Sequence, residues 1–457
     1  MGPMLQDDGS SVTSSSPLQF FSRMSPNIGS SHPWLRELKP EERGLYLIHL
    51  LLACANHVSN GSLDNANLAL EQISHLAAPD GDTMQRIAAY FAESLSERVL
   101  KSWPGIYRAL QFTRMPVVSE EILARKLYFE LFPFLKLAFV VTNQSILEAM
   151  DGEKMVHIID LNASEPAQWI ALIQALSARP EGPPHLRITG VHQQKEVLEQ
   201  VAHRLIDEAE KLDLPFQFNP VVCKLENLDV EKLRVKTGEA LAISSVLQLH
   251  TLLVTDDETL RKSSSLGLFN HVNGANGGNA NRRSSPSNDS ASSSPTSVNA
   301  SAKMDGFLAA LWGLSPKIMV ITEQDSNHNG SGLMERLSEA LYFYAALFDC
   351  LESTLPRASL ERRKVEKMLL GEEIKNIIAC EGGERRERHE KLDRWMQRLD
   401  MAGFRSVPLS YMGMLQARRL LQGCSCDGYR IKEENGCVII CWQDRPLFSV
   451  SAWRCKR

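Results

Sequence analysis

A mixed α/β fold, with a Rossmann-like parallel sheet beneath a mostly helical cap, is predicted by three features of the sequence. The first is the run Val156-His157-Ile158-Ile159-Asp160, whose β-branched residues mark a short strand buried on both faces. The second is the order around it. Short apolar strands at 155–160, 186–191, 216–222, 240–246 and 317–323 alternate with amphipathic helices, notably 168–178 and 194–213, as in a parallel sheet covered on both sides. The third is the block before it, roughly residues 36–150, where apolar residues recur at helical spacing without a strand signal.

Taken in order, residues 1–35 are rich in Ser, Pro, Gly and Asp and are expected to form a disordered tail. The helical pattern begins at Lys39. Leu45, Ile48, Leu51 and Leu52 share one face, and Leu63, Ala66, Leu70 and Ile73 share the next. It continues through 82–101 and 119–150, interrupted near Pro104 and Pro116. The α/β core is expected over 151–457, with one break. Residues 262–304 are dominated by Ser, Asn, Gly and Ala and carry no apolar period, so they read as a disordered insertion ahead of a helix, Met304–Gly313. Such a segment buries too little apolar area to offset a chain entropy of about 1–2 kcal/mol per residue. After 331 a late helical addition to the cap follows, with helices at 359–377 and, densely charged, at 384–400. Short strands at 404–409, 429–434, 437–442 and 447–453 close the chain. In the last, Phe448, Val450 and Ala452 share an apolar face, while Trp453 shares the other with Ser449 and Ser451, so both faces are expected to be covered near its end.

Bulk properties narrow the function. With 43% hydrophobic and 23% charged residues the composition is that of an ordinary globular protein. A net charge of −5 gives no general attraction to nucleic acid. No apolar run is long enough for a membrane span and no secretory signal is evident. Nine scattered cysteines form no framework and fit a reducing compartment.

The strand-to-helix turn after Asp160 is where a nucleotide-type cofactor would sit, and there glycines let backbone N–H groups approach the ligand. From Leu161 to Trp169 there is none. The second strand ends Gly190-Val191-His192-Gln193, without the acid that would hold a ribose. No cofactor and no catalytic residue are therefore expected. His157, between apolar neighbours on a central strand, reads as a hydrogen-bonded structural histidine; Asp160 reads equally as a cap or as a silent ligand position. Cys424-x-Cys426 and Cys437-x-x-x-Cys441 invite a zinc reading, but the second pair lies on a buried strand where cysteine behaves as a small hydrophobe, so no metal is expected. Two Leu-x-x-Leu-Leu runs occur. Leu249–Leu253 reads as core; Leu47–Leu51 reads either as core or, through Leu47, Leu50 and Leu51, as an exposed partner-binding face.

At this point the residues resemble a family, the plant GRAS transcriptional regulators, over about 36–457, with a texture similar to the scarecrow-like branch. A leucine-rich region (45–110) is followed by Val156-His157-Ile158-Ile159-Asp160, which is similar to the family's VHIID core. Next come Leu186-Arg187-Ile188-Thr189-Gly190 and a second leucine-rich region (about 194–230). Pro316, Phe343-Tyr344, and Arg388 with Glu390 stand for the PFYRE region. The end, Trp442-Gln443-Asp444-Arg445-Pro446 and Ser451-Ala452-Trp453, resembles the SAW region. The chain departs from the family's Gln-Gly-x-Gln-Trp-type turn, carrying Ser164-Glu165-Pro166-Ala167-Gln168-Trp169, and has no Asp-Glu-Leu-Leu-Ala stretch near its start.

The resemblance implies a methyltransferase-like core that performs no catalysis, and structural roles for His157, Asp160, Pro316, Arg388, Glu390 and Trp453. For Arg388 and Glu390 this favours an internal ion pair over a solvated charged helix. It also implies a nuclear transcriptional coregulator in gibberellin response and root development, using its first leucine-rich region for protein contacts. The implied partners are zinc-finger transcription factors of the indeterminate-domain type, DELLA proteins and other GRAS proteins, with homo- or heterodimers open and DNA reached indirectly. Direct DNA binding through a groove between cap and core is the first alternative, and an S-adenosylmethionine-type binding protein the second. Arg362–Lys364 and 385–388 are short basic runs that could serve nuclear import.

Overall fold

The computed structural model of the protein describes residues 38–111, 118–254, 301–424 and 426–456. The expected tail and most of the expected insertion (262–300) lie outside these.

Six helices precede the first strand among the described residues: α1 (Pro40–Ser59), α2 (Leu63–Leu76), α3 (Thr83–Leu100), α4 (Pro104–Gln111), α5 (Val118–Leu131) and α6 (Phe134–Ala149). Pro40 opens α1 at the position where a missing N–H costs nothing. Asp82 caps α3, its carboxylate accepting from the Gln85 N–H. Pro104 begins α4 rather than breaking a helix, and Pro133 separates α5 from α6.

The sheet runs β3-β2-β1-β4-β5-β9-β8-β7, with β6 paired to β9. Strands β1 (Met155–Asp160), β2 (His185–His192), β3 (Phe216–Val222), β4 (Ala240–Val246) and β5 (Ile318–Gln324) are parallel. Helices α7 (Ala167–Ser177), α8 (Lys195–Lys211) and α9 (Ala302–Gly313) connect or cover them. The far half is antiparallel: β6 (Phe404–Val407), β7 (Tyr429–Glu434), β8 (Cys437–Trp442) and β9 (Arg445–Cys455). β1 and β4 are buried along nearly their whole length, as their largely apolar character predicts. Trp453 is buried on β9 within a cluster that includes Trp395, Leu399 and Phe404, so the second face of that strand is covered as expected. Pro316 is buried just ahead of β5.

The late helices, α10 (Leu333–Thr354), α11 (Leu360–Val365), a single π-helical turn (Glu366–Leu370) and α12 (Gly371–Ala379), join the N-terminal block: α3 packs on α12, and α1 packs on α10. Arg86 of α3, fully buried, donates to Glu366 (Nε–Oε1 3.1 Å) and Glu352 (2.8 Å). Arg98 pairs with Glu381 at 2.8 Å and donates to the Ile378 carbonyl. Guanidiniums with several acceptors bind the two helical stretches to each other.

Four expectations need correction. The buried face of α1 is Leu47, Leu50, Leu51, Cys54 and Ala55, whereas Leu45 is exposed. Leu47 and Leu51 are wholly inaccessible because α1 is covered by α2, α3 and α10 together. The partner-binding reading of Leu47, Leu50 and Leu51 therefore gives way to core packing. The expected insertion ends too late: Ser301 caps α9, its hydroxyl accepting from the Met304 N–H, and Met304 is fully buried. The expected helix at 384–400 begins only at Leu392, as α13 (Leu392–Met401). Residues 385–391 run as an extended strap, since their charged side chains find partners inside the molecule instead of facing solvent. Arg362, Arg385 and Arg388 are buried, which removes them from any exposed basic import signal.

Candidate functional site

The parallel strands β2, β1, β4 and β5 all end at one edge, and the strand order reverses between β1 and β4. In open α/β sheets ligands bind at such a crevice. Here a cavity of about 950 Å³ lies at that edge, roofed by α5, α6 and the π-helical turn.

Its floor begins with Asp160. This carboxylate is fully occupied: Oδ1 accepts from the Asn162 N–H at 3.0 Å and Oδ2 from the Trp169 indole N–H at 2.6 Å. Burial raises its pKa to about 6, against the lowering effect of those two donors. Asp160 thus fastens the start of α7 to the end of β1. Asn162 bonds the Val246 carbonyl, tying the same turn to β4. At the end of β2, His192 accepts from the Gln194 N–H through Nδ1, and no carboxylate stands where a ribose would be held. S-adenosylmethionine does not fit these residues: the acid of β1 is spent, the acid of β2 is missing, and the turn presents Asn162, Ser164 and Glu165 side chains instead of glycine backbone.

His157 lies behind this edge, wholly buried. Nε2 meets Thr189 Oγ1 at 2.8 Å, and Nδ1 lies 3.1 Å from Arg187 and 3.2 Å from Glu239. Burial, then the Arg187 charge, lowers its pKa to about 4 despite Glu239, so it is a neutral structural histidine. Arg388 and Glu390 are brought together by the strap. Arg388 donates to the carbonyls of Arg385 and Gly382 and to Asn329, and Glu390 accepts from Asn329 and, twice, from Arg398 (2.6 and 2.8 Å). The cation on Glu390 is thus Arg398, which the sequence reading did not single out, while Arg388 ties the strap to backbone carbonyls and Asn329.

The β5 side of the cavity holds a constellation the sequence reading missed. His250, in a 3-10 turn (Leu249–Leu253) after β4, donates to two carboxylates, Nδ1 to Glu323 Oε2 at 2.7 Å and Nε2 to Glu387 Oε2 at 3.1 Å. His389 Nε2 is 3.3 Å from that same Glu387 oxygen, and its Nδ1 is 3.0 Å from Nδ1 of His328, which in turn meets Ser326 Oγ at 2.8 Å. Burial alone would lower the His250 pKa; Glu323 and Glu387 outweigh it and hold it near 10. Burial and the neighbouring His250 charge lower His389. Burial and Glu387 raise Glu373, on the same wall, to about 7. Among the described residues, His250, Glu387 and His389 are the group whose ligand atoms converge within 4.8 Å. The leucines around His250 drew the reading to packing, and the charge run around His389 drew it to a charged helix with an internal ion pair. The only signal in the sequence was the presence of imidazoles in both.

The cavity lining is mixed in charge. Arg125, Lys126, Arg204 and Lys367 are outnumbered by Glu120, Glu130, Asp160, Glu165, Glu372, Glu373 and Glu387. The cap's exposed apolar residues lie elsewhere. Trp103, Ile106 and Leu110, at and along α4, are all solvent-exposed at helical spacing.

Residues 47–454 match the GRAS domain family. The chain is 66% identical to Scarecrow-like protein 3 of Arabidopsis thaliana, covering 99% of each chain. It is 52% identical to GRAS family protein TF80 of Medicago truncatula, over 93% of this chain and 99% of that one. The crystal structure of SCL7 from Oryza sativa superposes with a TM-score of 0.70 at 29% identity, covering 89% of this chain and 99% of that chain.

Proposed function

Because the chain belongs to the GRAS domain family, we propose that it is a non-enzymatic transcriptional coregulator of the nucleus, acting in gibberellin response and root development. It binds zinc-finger transcription factors of the indeterminate-domain type, and DELLA and other GRAS proteins, and reaches DNA through them. The observation that carries this reading is the exposed stripe Trp103, Ile106 and Leu110 on the cap. Three large apolar side chains at helical spacing form a ridge that an apolar groove of a partner can take up. The stripe falls inside the first leucine-rich region, where the family resemblance places protein contacts. The test is recombinant binding between the full chain and an indeterminate-domain zinc-finger protein, followed by DNA binding of the zinc-finger protein with and without the chain.

Direct DNA binding in the cleft is disfavoured by its lining, in which acids outnumber Lys and Arg. A phosphate backbone needs the opposite balance. Cofactor binding is disfavoured by the engaged Asp160 and the glycine-free turn. Calorimetry with S-adenosylmethionine is expected to show no binding below millimolar concentration, and micromolar affinity would revive the ligand-binding reading.

A further inference from the structure

We propose that His250, Glu387 and His389 form a binding site for one divalent transition-metal ion, of the zinc class, on the β5 wall of the cleft. This inference does not depend on the coregulator reading.

The donor set is two imidazoles and one carboxylate, which suits zinc and its first-row neighbours. The spacing is right. Two metal–ligand bonds of about 2.0–2.1 Å at a tetrahedral angle place their donor atoms about 3.3 Å apart. His250 Nε2 and His389 Nε2 stand 3.1 and 3.3 Å from the same Glu387 oxygen. His389 Nε2 is a fully buried ring nitrogen without a hydrogen-bond partner, aimed at that oxygen.

The outer partners match a metal site as well. Metal-binding histidines hold their second ring nitrogen in a fixed hydrogen bond, commonly to a carboxylate. His250 Nδ1 faces Glu323 at 2.7 Å, and Glu323 is itself held by the N–H groups of Gln248 and Leu249. His389 Nδ1 faces His328 Nδ1, and His328 Nε2 faces Ser326. One tautomer assignment satisfies this whole chain. Nδ1–H of His389 donates to His328, Nε2–H of His328 donates to the Ser326 hydroxyl, and Nδ1–H of His250 donates to Glu323. Without an ion, Nε2–H of His250 donates to Glu387; an ion that displaces that proton meets the Nε2 lone pairs of His250 and His389 and the Glu387 carboxylate. Three electron-rich atoms in that arrangement are complementary to a cation. The strap that carries Glu387 is positioned for this by Asn376, whose side-chain carbonyl accepts from the N–H groups of Arg386 and Glu387. All three donors border the cavity, so a fourth coordination position opens to water or to a group entering the cleft.

The test is cobalt(II) and zinc(II) binding to the full chain after stripping with a chelator, in a Cys424→Ser/Cys426→Ser background that removes a half-buried thiol pair. One equivalent of cobalt is expected to give visible d–d bands of a nitrogen/oxygen donor set without thiolate charge transfer. Zinc is expected to displace it and to raise the melting temperature. His389→Gln and His250→Gln are each expected to weaken zinc binding at least a hundredfold, with the circular dichroism of the folded chain unchanged for at least His389→Gln. Failure of the parent chain to bind zinc below about 100 μM overturns the proposal. So does binding that survives in a folded His389→Gln variant, which would place the ion elsewhere. If both variants unfold, protection of the parent's histidines from diethylpyrocarbonate by zinc decides: protection of His250 and His389 supports the site, and its absence overturns it.

Discussion

Asp160 is a charge placed where charge is expensive. Its pKa is raised by burial to about 6 in the folded chain, above the 3.8 of an exposed carboxyl. A group raised on folding binds its proton more tightly in the native state. Its contribution is therefore fully present below pH 4 and is lost as pH rises through about 6. At 1.4 kcal/mol per unit the loss is on the order of 3 kcal/mol. Urea unfolding of the parent and of Asp160→Asn at pH 4 and pH 7 isolates this term from the other acids. The parent is expected to lose stability relative to the variant across that range; a constant difference would show that the Trp169 and Asn162 donors fully compensate for burial. The residue's place at the end of β1 was legible in the sequence. Its commitment to Trp169 was not, because nothing in the spacing of the two says that an indole N–H will turn back onto the strand.

At the scale of elements, the strands were legible and the helix faces were not. β1, β3, β4, β7 and β8 begin and end where the sequence places them. In α1, by contrast, leucines occur around most of the helix, and only the presence of α2, α3 and α10 decides that Leu47, Leu50 and Leu51 are inside. Leu47→Glu is expected to unfold the cap, because burying an unpaired carboxylate costs several kcal/mol; loss of cooperative melting reports it. A folded Leu47→Glu chain would return that helix to the surface. The strap at 385–391 was read as helix for the opposite reason: its charges have helical spacing, but their partners lie near residues 323–329 and 250 in sequence. The segment before α9 gives a second test. Ser301 donates to the Leu252 carbonyl at 3.1 Å, so the chain returns close to where it left. Replacing 262–300 with a short Gly/Ser linker changes closure entropy by only about 0.6 kcal/mol per halving of length. The melting temperature is expected to move by a few degrees at most; loss of the cooperative transition would make that segment part of the core.

For the whole molecule, cap and sheet enclose a cleft whose β1 acid is engaged by Asn162 and Trp169, while the cap carries an apolar ridge on its outside. The His250–Glu387–His389 cluster joins residues 137 positions apart and was beyond the reach of any local pattern. The α4 stripe was within reach, but the reading placed the exposed face on α1, three helices earlier. The central claim is that this face recruits a DNA-bound partner. Its most direct measurement is the affinity of an indeterminate-domain zinc-finger protein for the full chain and for Ile106→Glu, with melting curves alongside. The account predicts that the parent binds and supershifts the zinc-finger–DNA complex, and that Ile106→Glu, folded to the same melting temperature, binds at least tenfold more weakly, about 1.4 kcal/mol. A parent chain that ignores the zinc-finger protein yet binds duplex DNA alone, with affinity falling steeply in salt, would contradict it.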